Sequence, residues 1–113
     1  MRILQSPITI AELRQIAAKG FGNMVKAVVD VEKGIMAIDA ELHADEEAYL
    51  IEHGSTQAGL WGINLYPDEK AENFIEYDSM INLRPSQGNR SRGVEDPTLQ
   101  KKIVAIVTQL VAK

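Results

Sequence analysis

The stretch Arg84-Pro85-Ser86-Gln87-Gly88-Asn89-Arg90-Ser91-Arg92-Gly93 concentrates more side chains capable of chemistry than any other part of the sequence. A guanidinium group is a planar fork that grips phosphate or carboxylate through two N–H bonds at once. Three of them within nine positions, with neutral donors between and two glycines that admit close backbone approach, describe a site for an anionic small molecule or an acidic partner. The expected ligand-binding set is Arg84, Gln87, Asn89, Arg90 and Arg92. Two other fates compete for the same residues: internal ion pairing with acids such as Asp39, Glu41 or Asp78, and a disordered loop. The glycines fit neither a phosphate-cradling loop, which needs a lysine after them, nor a dinucleotide fingerprint, which needs a strand–glycine–helix unit.

A second constellation is Asp39, Glu41 and His43. If the chain stays extended from Ile35 to His43, these alternate positions share one face, about 7 Å apart along the backbone, and two carboxylates with an imidazole can approach one divalent metal. The competing reading is a solvated strand edge. His43 or Glu41 as general base, with Arg90 or Arg92 stabilising negative charge, is a third reading, the logic of a small ribonuclease-like or hydrolytic enzyme. Ser86 and Ser91 have no base placed by sequence to activate them. The aromatic residues are scattered rather than interleaved with basic ones, so nucleic-acid binding has weak support. No segment calls for a cofactor.

These side chains need elements to hold them. Thr9-Ile10-Ala11-Glu12 is a capping box opening a helix with Ile10, Leu13, Ile16 and Ala17 on one stripe and Gly20 at its stop. Met24–Val31 and Ile35–Leu42 read as strands joined by a tight turn at Gly34. Asp45 is the expected cap of a short helix ended by Gly54. Leu60–Tyr66 and the long alternating run Phe74–Leu83 read as two more strands. Asp96-Pro97 opens a final helix whose stripe runs Leu99, Ile103, Ile106, Val107 and Leu110. The order α-β-β-α-β-β-α predicts a single α+β domain over residues 1–113, a four-stranded mainly antiparallel sheet with its helices largely on one face. Strands with apolar residues on both sides then need cover on the second face, from another helix or from a second copy in a homodimer.

Composition bounds these readings. The 113 residues are 45% apolar and 25% charged, enough for one core and too few for two domains. With no cysteine there is no disulfide framework, thiolate nucleophile or zinc finger, and a cytoplasmic setting is expected. The first residues lack the apolar run of a signal peptide, and no window approaches the roughly 20 apolar residues of a membrane span. Charge is segregated: residues 1–29 carry +3, residues 30–78 carry −11 and residues 79–113 carry +4, within a formal net charge of −4. An acidic middle between basic ends suits internal complementarity as well as a local anion site.

The stretches Met24–Asp30, Leu42–Glu47, Leu60–Pro67 and Ile81–Glu95 together resemble a family of small, mostly bacterial proteins known as domain of unknown function 5674. The resemblance spans nearly the whole chain. It implies a stand-alone bacterial cytosolic protein and supplies no catalytic residue, cofactor or activity, so the functional readings rest on residue chemistry.

Overall fold

The computed structural model describes residues 1–112. In chain order the elements are β1 (Arg2–Leu4), β2 (Ile8–Thr9), α1 (Ile10–Lys19), β3 (Val25–Asp30), β4 (Ile35–Ile38), α2 (His43–Glu52), β5 (Leu60–Leu65), β6 (Ile75–Glu76), α3 (Pro97–Leu110) and β7 (Val111–Ala112). Five strands form one sheet in the order β1-β4-β3-β5-β6, every neighbouring pair antiparallel. The fifth strand of this α+β domain is the N-terminal segment, whose three residues pair with β4 and gave no signal of their own. A small parallel pair, β2 with β7, ties the start of α1 to the end of α3, so the last helix stops at Leu110 rather than at the chain end.

The pleat divides the strand residues between two faces. Val25, Ala27 and Val29 of β3, Met36 and Ile38 of β4, and Trp61, Ile63 and Leu65 of β5 share the larger core with Leu13 and Ala17 of α1 and Ile103, Ile106, Val107 and Leu110 of α3. On the opposite face Val28, Ala37 and Leu60 pack with Leu50 of α2. Two of the three helices therefore lie on one face, and the chain's own α2 covers part of the second.

Local chemistry explains the elements that hold. Thr9 Oγ1 accepts from the Glu12 N–H at 3.1 Å, and the Gly20 N–H closes α1 on the Ile16 and Ala17 carbonyls. Asp96 accepts from the Thr98 N–H at 2.9 Å with Pro97 in the first turn of α3. Asp30, buried at the end of β3, accepts from the Glu32 and Lys33 amides through one oxygen and from the Ser55 hydroxyl through the other, fixing the β3–β4 turn that Gly34 completes at φ +70°. Two strands are shorter than their patterns suggested. β4 ends at Ile38 because Asp39 adopts φ +69°, which turns the chain out of the sheet. The alternating run Phe74–Leu83 supplies only Ile75–Glu76 as strand. Beyond it lies a 3₁₀ turn, Met80–Asn82, and a second, Pro85–Gln87, within the arginine-bearing segment.

With only two residues, β6 pairs with Asn64 and Leu65 and leaves the rest of β5 without a strand neighbour on the side away from β3. Side chains take over this edge. Asn82 Oδ1 accepts from the Gly62 N–H at 2.8 Å while its Nδ2 donates to the Gly62 carbonyl at 2.9 Å, reproducing with one amide the two bonds of a strand partner. The same Nδ2 donates to the Arg92 carbonyl. Replacing Asn82 by alanine orphans these buried backbone groups and is expected to lower stability by about 2–4 kcal/mol. Urea denaturation checks this; a change below about 0.5 kcal/mol would mean that water or a shifted backbone replaces the amide.

Candidate functional site

The arginine-bearing segment is ordered by its own contacts. Asn89, almost fully buried, donates through Nδ2 to the carbonyls of Asn82, Ser91 and Gly93 and accepts from the Glu95 N–H through Oδ1. Arg84 and Asn89 exchange backbone bonds, and Gly88 turns between them at φ +81°. The Arg84 side chain is buried: it donates to the Leu60 carbonyl at 2.6 Å, pairs with Glu47 of α2 at 3.2 Å and lies 4.7 Å over the Trp61 ring. Burial lowers its pKa, and the Glu47 carboxylate beside it opposes the shift. Gln87 donates to the Ala58 carbonyl at 3.3 Å. Arg90 and Arg92 remain exposed. Arg92 pairs with Asp78 at 2.7 Å, one of the acids considered from sequence, while Arg90 uses its backbone N–H on Glu95. Of the five expected ligand-binding residues, Arg84 and Asn89 thus brace β5, and Arg92 stands at the wall of a cavity.

That cavity holds about 530 Å³ on the α2 side of the sheet. Its floor is β3 and β5, through Lys26 and Asn64; one wall is the start of α2, through Leu42 and His43; the other runs from Glu76 and Asp78 to Ser79, Met80 and Arg92. His43 and Arg92, distant in sequence and singled out on separate grounds, line the same space. Close packing at Gly62 makes this possible, since a Cβ there would sit 2.5 Å from Ser79 Cβ and 3.2 Å from His43 Cδ2.

His43 is the first residue of α2, not the end of a strand, so the expected Asp39–Glu41–His43 row does not form. Asp39 and Glu41 are exposed in the link between β4 and α2, and among the described residues no three histidine, aspartate or glutamate side chains converge to hold a metal. Glu41 does not line the cavity with His43. The helix starts without a side-chain cap, and Asp45, expected as the cap, lies in the first turn with Glu46. His43 Nε2 lies 2.8 Å from the Ile63 carbonyl. A carbonyl only accepts, so Nε2 carries the proton and Nδ1 the lone pair. Burial, reinforced by nearby Lys26, holds the imidazole below its usual pKa and keeps it neutral.

Sequence reasoning missed Lys26, Asn64 and Glu46. Lys26 and Asn64 are the lone polar residues inside two apolar strands, and this interruption was their only signal. The Lys26 ammonium rests 5.2 Å above the Phe21 ring, and no carboxylate of the described residues lies within ion-pair distance of it. Asn64 Nδ2 donates to Glu76 Oε1 at 2.9 Å, and the Tyr66 hydroxyl donates to the same oxygen at 2.8 Å, which raises the tyrosine's pKa. Glu46, three residues after His43 on the inner face of α2, is fully buried, and neither carboxyl oxygen makes a well-formed hydrogen bond. Burial pushes its pKa up to about 9, only partly offset by the Ala40 amide and Lys26. At neutral pH Glu46 is therefore an uncharged acid and forms no ion pair with Lys26.

An open antiparallel sheet with helices on both faces, and a cavity beside the start of α2, define a compact α+β protein. The chain belongs to the family described as protein of unknown function (DUF5674), whose model matches residues 2–110. No curated protein and no solved structure matches it. None of the helices among the described residues is long and apolar enough to cross a membrane.

Glu46 yields a pH prediction. Its pKa is raised in the folded state, so its stabilising contribution is complete below about 4.5 and is lost as pH rises toward about 9. Glu46→Gln removes that titration. Its stability relative to the parent is expected to improve by about 1–3 kcal/mol between pH 4.5 and pH 8. Urea denaturation at the two pH values measures the change, and parallel profiles for parent and variant would show that Glu46 is not a buried acid.

Proposed function

We propose that this is a small-molecule-binding protein whose cleft holds an anionic group, carboxylate or phosphate, between Lys26 and Arg92. The observation that carries the reading is Lys26: a cation at the floor of a roughly 530 Å³ cavity, seated on an aromatic ring, with no carboxylate of the described residues paired to it. The space suits a small organic ligand. Arg92 contributes a guanidinium already oriented by Asp78, and the neutral imidazole of His43 offers a hydrogen-bond acceptor. Relative to the expectation from sequence, the anion moves from the centre of the arginine-bearing segment to its flank. Arg84, Gln87 and Asn89 serve as scaffold in this reading, and Arg90 is the arginine left to the solvent.

A second reading, self-association, draws support from Leu42 and Met80, which stand 54% and 63% exposed at the cleft rim. In that reading the arginines are structural. Salt-insensitive dimerisation in sedimentation, lost on Met80→Ser, would favour it.

Titration with inorganic phosphate and with acetate, followed by amide chemical shifts, tests the primary reading. Both anions are expected to perturb β3 and the start of α2. Lys26→Gln and Arg92→Gln are each expected to weaken binding about tenfold, the worth of one charge-assisted hydrogen bond, while Arg90→Gln leaves it unchanged. Equal loss in all three variants would return the anion to the arginine-bearing segment, and no perturbation by either anion would contradict the reading altogether.

A further inference from the structure

We propose that the molecule this cleft accepts is amphoteric, with an ammonium or similar N–H cation a few bonds from its acid group; the inference rests on the reading of Lys26 as an anion site and specifies the ligand's other end. The sheet register carries it. Lys26 of β3 pairs with Asn64 of β5, and Asn64 pairs with Glu76 of β6, so the three stand in one cross-strand row on the face that lines the cavity. Adjacent strands lie about 4.8 Å apart, which sets the Lys26 and Glu76 backbones about 10 Å from each other with an amide between them. The Asn64 amide is turned toward the acid, donating to Glu76 Oε1.

The two ends of the row are charged and unpaired in the same sense. Lys26 has a ring beneath it instead of a carboxylate, and Glu76 receives only neutral donors, Asn64 and Tyr66, both on one oxygen. Among the described residues neither has an oppositely charged partner within 4 Å. Elsewhere in the same cavity Arg92 meets Asp78 through Nε at 2.7 Å and the two charges offset each other, so Lys26 and Glu76 are the cavity's charges without an ion-pair partner. A purely anionic ligand would satisfy Lys26 and crowd negative charge against Glu76. An amphoteric ligand satisfies both ends and leaves the cleft electrically balanced. Exposed Leu42 and Met80 at the rim give an aliphatic spacer an apolar surface.

The test is a matched set of probes titrated against the whole protein: glycine, γ-aminobutyrate and ε-aminohexanoate as amphoteric compounds, hexanoate as the acid alone and hexylamine as the amine alone. At least one amphoteric probe is expected to bind about tenfold more tightly than either singly charged compound, with shifts at Lys26, Asn64 and Glu76. Glu76→Gln keeps the acceptor for Asn64 and removes the charge; it is expected to abolish that probe's tenfold advantage over hexanoate and to tighten, not weaken, hexanoate itself. Shift mapping on the parent protein gives the same answer without a variant. If hexanoate binds as tightly as every amphoteric probe, and Glu76→Gln alters nothing, the inference is overturned while the anion site stands. If no probe binds and phosphate and acetate fail as well, both fall together.

Discussion

The edge of β5 that β6 leaves without a strand partner is the constraint from which the site follows. A central antiparallel strand has backbone donors and acceptors on both sides, and leaving those of Gly62 unpaired in a buried setting costs about 1–3 kcal/mol for each group. β6 is too short to reach them. The chain satisfies them with the Asn82 amide and the Leu60 carbonyl with the Arg84 guanidinium, and both side chains must then be buried and held in place. Asn89 holds them by gathering three carbonyls of the surrounding loop on one Nδ2. The polar richness of the segment between Arg84 and Gly93 is in large part the chemistry of replacing a missing strand.

The cleft is a consequence of that arrangement. Because a turn rather than a strand closes the edge, Ser79 can press against Gly62, and the start of α2 can approach from the other side until His43 reaches the Ile63 carbonyl. The space between them opens over Lys26 and Asn64, which a regular sixth strand and a longer helix would have covered. Both ionisable groups on the buried face of α2, His43 and Glu46, are held in their neutral forms by burial, and the helix can therefore pack over a lysine without an ion pair. The segregated charge of the sequence is resolved in part by internal pairs, Arg84 with Glu47 and Arg92 with Asp78, each joining the basic last third to the acidic middle.

Periodicity and caps made much of the fold legible. α1, α3 and the β3–β4 hairpin follow from Thr9, Asp96-Pro97 and Gly34, whose roles are local and are decided within a few residues. β1 and the short β6 escaped because their pairing is decided by distant partners: Arg2–Leu4 has no alternation to read, and Tyr77–Leu83 alternates without being a strand because Asn82 and Ser79 spend their side chains on the backbone. The same non-locality hid the site. Arg84 and Asn89 have the composition of a binding loop and the contacts of a brace; for Arg84 the difference is set by Glu47 and Leu60, 37 and 24 positions away. Lys26, Asn64 and Glu76 are three unremarkable residues until the register aligns them.

The central claim is that the uncompensated charge of Lys26 at the cleft floor is where an anion binds, and anomalous diffraction tests it most directly. Crystals equilibrated with selenate, a phosphate-sized anion visible at the selenium edge, should show a peak in the cleft within hydrogen-bonding distance of Lys26 Nζ, absent from crystals of Lys26→Gln. Selenate bound at Arg90 or elsewhere on the surface, with an empty cleft in both proteins, would contradict it.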